Sequence, residues 1–224
     1  MKLTGWIALW AATVLVADEA ILSLQVTLDR FGFSPGAIDG RFGPHTRAAL
    51  VAWQLANDMP ADGEPTGPCV PAELPPEMLY TNVVIQPQDM AQLGTVPADW
   101  LERSRLPRLA HETVLELLAE RFHCSQKLIA ALNPSVSNWC AGVSVRLPNT
   151  LCHLRQLSRA TKLRVCLAQK WIRALDANGR IIAHFPCSIA GREEKRPVGT
   201  LTVINIALNP NYTFDPANFP QLPE

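Results

Sequence analysis

The stretch Gly36-Ala37-Ile38-Asp39-Gly40-Arg41-Phe42-Gly43, followed by Thr46 and Trp53-Gln54, decides the fold of the first part of this chain. The glycines at 36 and 40 can take the positive φ values that a compact loop needs. The Asp39 side chain can accept backbone amide bonds inside such a loop. The stretch therefore predicts a tight loop between two regular elements.

Apolar residues on both sides of the loop predict one helix before it and a second after it. The upstream residues with near-helical spacing are Leu22, Leu24, Leu28 and Phe31. Gly32 can end that first helix. The second helix can begin near Gly43 or Pro44, because proline is tolerated in the first helical turn. Leu50, Trp53 and Gln54 then share one of its faces.

Several positions in this region resemble the peptidoglycan-binding module of bacterial wall enzymes. They are Leu24-Gln25, Leu28, Ile38-Asp39-Gly40, Phe42-Gly43, Thr46 and Trp53-Gln54. In that family the module holds glycan strands or stem peptides without chemistry, so the resemblance implies targeting to the cell wall. The implied peptidoglycan-binding residues are Asp39, Gly40, Arg41, Phe42, Gly43, Thr46 and Trp53.

Each of these residues also has a structural interpretation. Arg41 can reach a stem-peptide carboxylate, and an exposed aromatic edge can pack on a sugar face. A solvated loop charge is the alternative for Arg41, and a core position is the alternative for Phe42, Leu50 and Trp53.

Length and charge limit the classes of partner. The chain has 224 residues, enough for three small domains, with 20 basic and 20 acidic side chains. It has no electrostatic footprint for nucleic acid or for an anionic membrane surface. A neutral glycan or a zwitterionic peptide remains compatible with this composition.

The N-terminus reads as a targeting segment. Met1-Lys2 precedes an apolar run from Trp6 to Ala17, which is too short to span a bilayer comfortably. We interpret residues 1–17 as a signal peptide or an uncleaved N-terminal anchor, with a buried first helix as the alternative. The predicted localisation is periplasmic or secreted, in association with the cell wall.

Six cysteines suit an oxidising compartment, although their number fixes no pairing. Cys124 and Cys140 bracket one small module and are the first candidate pair. For Cys166 and Cys187, which lie in strand-like runs, we expect buried apolar positions instead.

Prolines between Pro60 and Pro76 predict a semi-extended linker over residues 61–79. A second module follows at residues 80–150. Its first helical pattern runs through residues 111–122, Ser125 can cap a further helix, and residues 143–148 alternate like a strand. Asn133-Pro134 stops the second of these helices.

This order resembles the lysin motif, a small glycan-binding β-α-α-β module. The matching positions are Glu112-Thr113, Leu118-Ala119, Leu128, Leu132-Asn133, Ala141-Gly142 and Leu147-Pro148-Asn149. His111 replaces the glycine that usually precedes the acidic residue. The module either binds sugar or serves as a spacer in which Asn133 caps backbone groups.

Residues 162–224 predict a β segment. Alternation from Leu163 to Leu167, a turn at Asp176-Ala177-Asn178-Gly179 and a strand at residues 181–186 indicate a hairpin, and Leu201–Ile204 predicts a further strand. The hairpin with Ser188–Gly191 and Arg196–Gly199 resembles the opening half of the L,D-transpeptidase catalytic domain. That resemblance implies substrate-cleft residues, namely Gly191, Arg196, Pro197, Gly199 and Tyr212.

L,D-transpeptidases attack a stem-peptide carbonyl with a cysteine thiolate that a nearby histidine activates. Their Ser-His-Gly-Cys run does not occur in this sequence. His184 and Cys187 are three apart in a strand, where they point to opposite faces. His123-Cys124 with Cys140 and His111 matches no common zinc spacing. We therefore predict no catalytic residue, no metal site and no cofactor.

The predicted fold class is a multi-domain α+β protein. It combines a helical peptidoglycan-binding module at 18–60, the lysin-motif-like module and an incomplete, mostly-β L,D-transpeptidase-like segment that exposes sheet edges. The predicted function is peptidoglycan binding by a relative of L,D-transpeptidases that lacks their nucleophile. One alternative is an active transpeptidase whose record is cut short before its catalytic residues. The other is a structural adaptor that binds no glycan.

Overall fold

The structure is a computed structural model that describes residues 18–106, 108–150 and 159–206. The predicted leader at 1–17, the cleft candidate Tyr212, Cys152 and His153 lie outside the described residues.

The first region consists of two helices, α1 (Glu19–Arg30) and α2 (Pro44–Ala56). Asp18 caps α1, since its side chain accepts bonds from the amides of the first turn. Gly32, Gly36 and Gly40 all have φ between 72° and 82°. The predicted pair of helices, the loop between them and the helix start near Pro44 are therefore confirmed.

The second region contains a two-stranded antiparallel sheet with helices packed on it. Its elements in chain order are α3 (Pro76–Leu79), β1 (Tyr80–Val84), α4 (Pro87–Met90), α5 (Trp100–Ser104), α6 (Val114–Arg121), α7 (Gln126–Leu132) and β2 (Ser144–Pro148). β1 pairs with β2 from Tyr80 opposite Pro148 to Val84 opposite Ser144. Side chains of Thr113 and Ser125 cap α6 and α7. The predicted helices and strand are confirmed, whereas α4 and α5 had no sequence prediction.

The third region is a three-stranded antiparallel sheet in the order β3 (Lys162–Cys166), β4 (Trp171–Leu175) and β5 (Ile181–Pro186). Asp176 Oδ1 fixes the β4–β5 turn by accepting 2.9 Å bonds from the amides of Asn178 and Arg180. The predicted hairpin is confirmed. The predicted strand at Leu201–Ile204 is wrong, because no described segment pairs with it. Ile204 is 94% exposed there.

Helix α1 contributes side chains to two hydrophobic cores. Leu22 and Val26 pack with the buried residues of the second region, including Phe122 and Ile129. Leu28 packs on α2, in a core that β5 borders through the partly buried Ile181. A single helix therefore lies between the two remaining regions, and its burial on both faces stabilises all three.

Backbone bonds reinforce these contacts at both ends of the segment between α1 and α2. Ile38 donates a 2.8 Å bond to the His123 carbonyl and accepts a 2.9 Å bond from the Ser125 amide. Ser34 donates to the His184 carbonyl at 2.8 Å, and His184 donates to the Gly32 carbonyl at 3.0 Å. The first region is consequently tied to the second and to the third.

The predicted linker at 61–79 lies against the first region and does not hold the modules apart. The Leu74 amide donates a 2.9 Å bond to Ser23 Oγ on α1, and Gln54 Nε2 donates to the Cys69 carbonyl at 3.0 Å. Prolines have no backbone N–H, so a proline-rich segment cannot form a regular ladder of backbone bonds. Its carbonyl groups can still accept bonds from side chains of the helices. The segment is thus packed, with an irregular part at 61–75 and helix α3 at its end.

Candidate functional site

The loop between α1 and α2 is organised by Gln25, whose side chain lies on α1 and is 1% exposed. Gln25 Nε2 donates to Asp39 Oδ1 at 3.2 Å, to the Arg41 carbonyl at 3.0 Å and to Thr46 Oγ1 at 3.1 Å. Its Oε1 accepts bonds from the amides of Asp39 at 3.1 Å and Gly40 at 2.8 Å. One buried amide therefore fixes the backbone path of the whole loop.

A second buried glutamine repeats this arrangement on α2. Gln54 Nε2 donates to Asp62 Oδ1 at 2.8 Å, and its Oε1 accepts the Gly63 amide at 2.9 Å. Asp62 Oδ1 also accepts the Glu64 amide at 3.0 Å. In the same way, Asp39 Oδ1 accepts the Arg41 amide at 3.0 Å, so its predicted hydrogen bond within the loop is confirmed, whereas its peptidoglycan-binding role stays a prediction. Each Asp-Gly turn is thus held by one buried glutamine.

The hydrogen bonds of the second turn also lower the pKa of Asp62. The backbone amide of Glu64 and the Gln54 side chain hold the pKa of Asp62 below its usual range, because both stabilise the ionised carboxylate. Gly63 has φ of 65°, and a Cβ built there would lie 2.8 Å from Val51 Cγ2. The turn therefore requires glycine for conformation and for space.

The outer side of the loop presents basic and aromatic groups. The Arg41 side chain is exposed and makes no hydrogen bond or ion pair within the described parts of the chain. The guanidinium of Arg47 lies 5.2 Å from the ring centroid of the half-buried Phe42. Arg47 Nη1 also bonds Glu64 Oε1 at 2.9 Å, which connects the two Asp-Gly turns. We call Arg41, Phe42 and Arg47 the loop surface.

The predicted peptidoglycan-binding residues divide between the interior and the surface of this loop. Gly40 is buried, and Thr46 is 2% exposed with its hydroxyl bonded to Gln25. Trp53 is half-buried against the core that includes Leu28 and Leu50. Gly43 precedes α2 as its extended N-cap residue. Arg41 and Phe42 therefore remain as the predicted residues best placed to touch a ligand.

Gln25, Gln54 and Arg47 had no predicted role as site residues. A signal existed in the sequence, since Gln25 precedes Ile38-Asp39-Gly40 and Gln54 precedes Ala61-Asp62-Gly63. Recognising it requires knowing that each glutamine faces inward, toward the turn that follows it.

In the second region, Asn133 is used for backbone capping. Its Nδ2 donates 2.8 Å bonds to the carbonyls of Ile129 and Arg146, and its Oδ1 accepts the Arg146 amide at 2.7 Å. The backbone interpretation of this residue is confirmed. These bonds use both polar atoms of the Asn133 side chain.

In the third region, the cleft candidates lie in an exposed loop after β5. Arg196 turns back into this loop, where Nε donates to the Ala190 carbonyl at 2.7 Å and Nη2 donates to the Gly191 carbonyl at 2.8 Å. Pro197 and Gly199 are exposed, with Gly199 at φ of 101°. The role predicted for these residues stays a prediction.

His184 and Cys124 are both poorly suited to nucleophilic catalysis. His184 is 1% exposed, and burial, Arg173 and His45 lower its pKa to about 4. Its Nδ1 receives a 3.4 Å bond from Arg173 Nε. Burial raises the pKa of the Cys124 thiol to about 12, so it is protonated at neutral pH.

Cys124 and Cys140, the first candidate pair, carry free thiols in the structure. Cys124 is instead part of the core beside Ile38. All the described cysteines carry free thiols; they are Cys69, Cys124, Cys140, Cys166 and Cys187. Cys166 and Cys187 are half-buried where full burial was expected.

Two further properties concern the described residues only. No group of three or more His, Cys, Asp or Glu side chains in this part of the chain could hold a metal ion. Within the same ranges, no helix has the length and hydropathy required to cross a membrane.

Comparison with protein families identifies the first region. Residues 17–69 match the family described as "Putative peptidoglycan binding domain". The match includes both helices, the loop surface and both Asp-Gly turns, and it ends within the predicted linker. A search of curated proteins gave no match to the chain. This match covers less than half of the chain, and it supports a peptidoglycan-binding domain at residues 17–69, with peptidoglycan as its ligand and the cell wall as its place of association.

Proposed function

We propose that this chain binds peptidoglycan through the loop surface, with Arg41 pairing to a stem-peptide carboxylate. The observation that carries the proposal is the buried Gln25 amide, which bonds both sides of the loop and leaves Arg41 pointing to solvent. A loop held in one conformation before binding loses little conformational entropy when the ligand arrives.

The basic groups of the surface suit the ligand. Arg41 has its donors free among the described residues, and an arginine can form two parallel bonds to one carboxylate. Phe42, under the Arg47 guanidinium, offers an aromatic edge for the apolar part of a stem peptide or sugar. The chain as a whole has no net charge, so long-range attraction does not favour an anionic ligand. The contacts of Arg41 and Phe42 would then determine which ligand is selected.

A sedimentation assay with insoluble peptidoglycan tests the proposal. We expect Arg41→Ala to weaken binding about 10-fold or more, since a charge-assisted bond contributes about 1.5–3 kcal/mol. Arg164→Ala is the matched control, because Arg164 is an exposed arginine on the edge strand β3. Equal binding by both variants would remove Arg41 from the site, and no binding by the unmodified chain would favour the adaptor alternative.

The second region is proposed as a degenerate lysin-motif module that serves as a spacer. Support comes from its order, in which β1 and β2 enclose α6 and α7, and from the occupied amide of Asn133. If residue 133 held an N-acetyl group, Asn133→Ala would abolish sugar binding without unfolding the module. If the module is a spacer, Asn133→Ala should lower its stability and leave peptidoglycan binding by the chain unchanged.

The third region is proposed as a segment related to L,D-transpeptidases that has no transpeptidase activity in this chain. Its support is the β4–β5 hairpin followed by Arg196-Pro197-Val198-Gly199, together with the burial of His184 against Arg173 and not against a thiol. Release of D-alanine from a tetrapeptide substrate by the purified chain would contradict the proposal that this segment has no transpeptidase activity. Reading the coding DNA beyond codon 224 for Ser-His-Gly-Cys tests the alternative of an active enzyme.

A further inference from the structure

A cleft of about 500 Å³ lies where the three regions meet, apart from the loop surface. The first region contributes Asp29 and Ser34, the second contributes Glu120 and His123, and the third contributes Phe185. We call these five residues the junction cleft. Its volume is within the range of small-ligand sites in proteins.

The walls of the junction cleft combine small residues with one aromatic ring. The small residues leave room for a ligand to come close to the backbone; they are Gly32, Gly36, Ala37 and Ala119. Alternation along β5 turns His184 inward, where it is buried, and leaves the neighbouring Phe185 46% exposed toward the opening. An exposed ring beside a concave surface of small residues can pack on a flat ligand.

Polar groups lie along one side of the cleft. Asp29 Oδ2 is 2.9 Å from His123 Nδ1, and the Asp29 side chain is only 6% exposed. Glu120 is 78% exposed, and its Oε2 lies 3.7 Å from His111 Nδ1. Two carboxylates, each beside one imidazole, make this side neutral to acidic. Such a lining disfavours an anionic ligand and offers acceptors to hydroxyl and amide donors.

We propose that the junction cleft binds a neutral, N-acetylated saccharide, with Phe185 packed on the apolar face of one sugar ring. The hydroxyl and amide groups of such a sugar can donate to the exposed Glu120, and the absence of charge on the ligand avoids repulsion by the carboxylates of Glu120 and Asp29. A stem peptide, which carries carboxylates, suits the basic loop surface instead. The inference rests on the proposed function for its ligand source, since the glycan strand of peptidoglycan supplies such sugars.

The two sites divide the polymer by charge. The loop surface offers the Arg41 guanidinium to a stem-peptide carboxylate, whereas the junction cleft offers an aromatic ring and an acceptor to the neutral strand. Backbone hydrogen bonds join Ile38 to His123 and Ser34 to His184. These bonds hold the three regions in one arrangement around the cleft. The cleft therefore needs all three regions, which gives the full chain a binding capacity that residues 17–69 alone do not have.

The test is a titration of the isotope-labelled full chain with tetra-N-acetylchitotetraose, followed by amide chemical shifts. We expect shifts at Gly36, Ala37 and Phe185, and a loss of at least 10-fold in affinity for Phe185→Ala. Leu163→Ala is the control, since Leu163 is similarly exposed on β3 and does not line the cleft. Glu120→Gln, matched by the exposed Glu102→Gln, should weaken binding about 3-fold.

Outcomes separate this inference from the proposed function. Saccharide binding that survives Arg41→Ala but falls with Phe185→Ala supports the cleft, whatever the sedimentation assay shows. Sedimentation with peptidoglycan but no shifts on saccharide addition overturns the cleft and leaves the loop surface intact. Tighter binding of a free stem pentapeptide than of the saccharide at these amides, or equal affinities of Phe185→Ala and Leu163→Ala, also overturns it.

Discussion

His123 Nδ1 lies 2.9 Å from Asp29 Oδ2, so a hydrogen bond that becomes an ion pair when His123 is protonated joins the end of α1 to the turn between α6 and α7. The Asp29 side chain is 6% exposed, whereas that of His123 is 57% exposed. The bond to Asp29 raises the pKa of His123, although desolvation opposes it. The contact between the first and second regions therefore depends on pH.

Asp29→Asn should lower stability mainly at acidic pH. A raised folded-state pKa contributes stability that is fully present below the unfolded value of about 6.5 and is lost as pH rises through the folded value. Solvent exposure of His123 keeps the effect near about 1 kcal/mol or less. Thermal unfolding at pH 5.5 and pH 8.5 measures it. Asp58→Asn, which removes an exposed pair with Arg180, is the control and should show no such pH dependence.

His184 should produce the opposite pH dependence at the contact with the third region. Its folded pKa of about 4 lies below the unfolded value of about 6.5, so the neutral form stabilises the fold above pH 6.5. Stability should fall by about 3 kcal/mol as pH drops from 7 to 4, because the unfolded chain takes up the proton first. Urea unfolding at several pH values measures this.

His184→Gln gives the matched control for that measurement. It removes the titrating group while keeping the backbone bonds to Gly32 and Ser34, with Arg173 and His45 still nearby. We expect the slope of stability against pH between 4 and 6.5 to flatten in this variant. An unchanged slope would assign the acid sensitivity to other groups.

Gln25→Ala should destabilise the chain and disorder the loop surface. The substitution leaves the buried amides of Asp39 and Gly40 without their acceptor, at a cost of about 3 kcal/mol. Gln92→Ala, which removes one 3.3 Å bond in a partly exposed helix turn, should change stability by less than about 0.5 kcal/mol. Denaturant unfolding of both variants, with the sedimentation assay, tests whether loop order and wall binding decline together.

Gly63→Ala should destabilise through backbone strain and a steric clash. A Cβ at residue 63 would lie 2.8 Å from Val51 Cγ2 and 2.9 Å from Arg47 Cγ, at φ of 65°. We expect a loss of about 1–3 kcal/mol. Gly191→Ala has open space around its Cβ and should be nearly neutral. Comparable melting temperatures for the two variants would contradict this account of the turn.

Local signals predicted the elements that local interactions determine. Pro44 begins α2, and Ser125 caps α7, because capping and proline chemistry act within a few residues. The hairpin at Asp176 followed from its turn sequence for the same reason. The resemblance in residues 18–60 likewise identified the region that the family match covers.

Long-range packing accounts for what the sequence did not predict. Leu201–Ile204 has strand composition, but a strand needs a partner and no described segment supplies one. The junction cleft was not foreseen, since Asp29, Glu120 and Phe185 are far apart in the sequence. Burial of Cys124 beside Ile38 depends on the same distant contacts, and Cys124 is not bonded to the candidate partner Cys140.

The burial of α1 on both faces has a practical consequence for anyone who transplants the wall-binding region. A fusion carrying only residues 17–69 would expose Leu22, Val26 and Ile38 to water, because their partners lie in the second region. Such a fragment would present a fresh apolar patch, a feature that promotes aggregation. Polar replacements at these three positions would be needed before the fragment could serve as a soluble affinity tag.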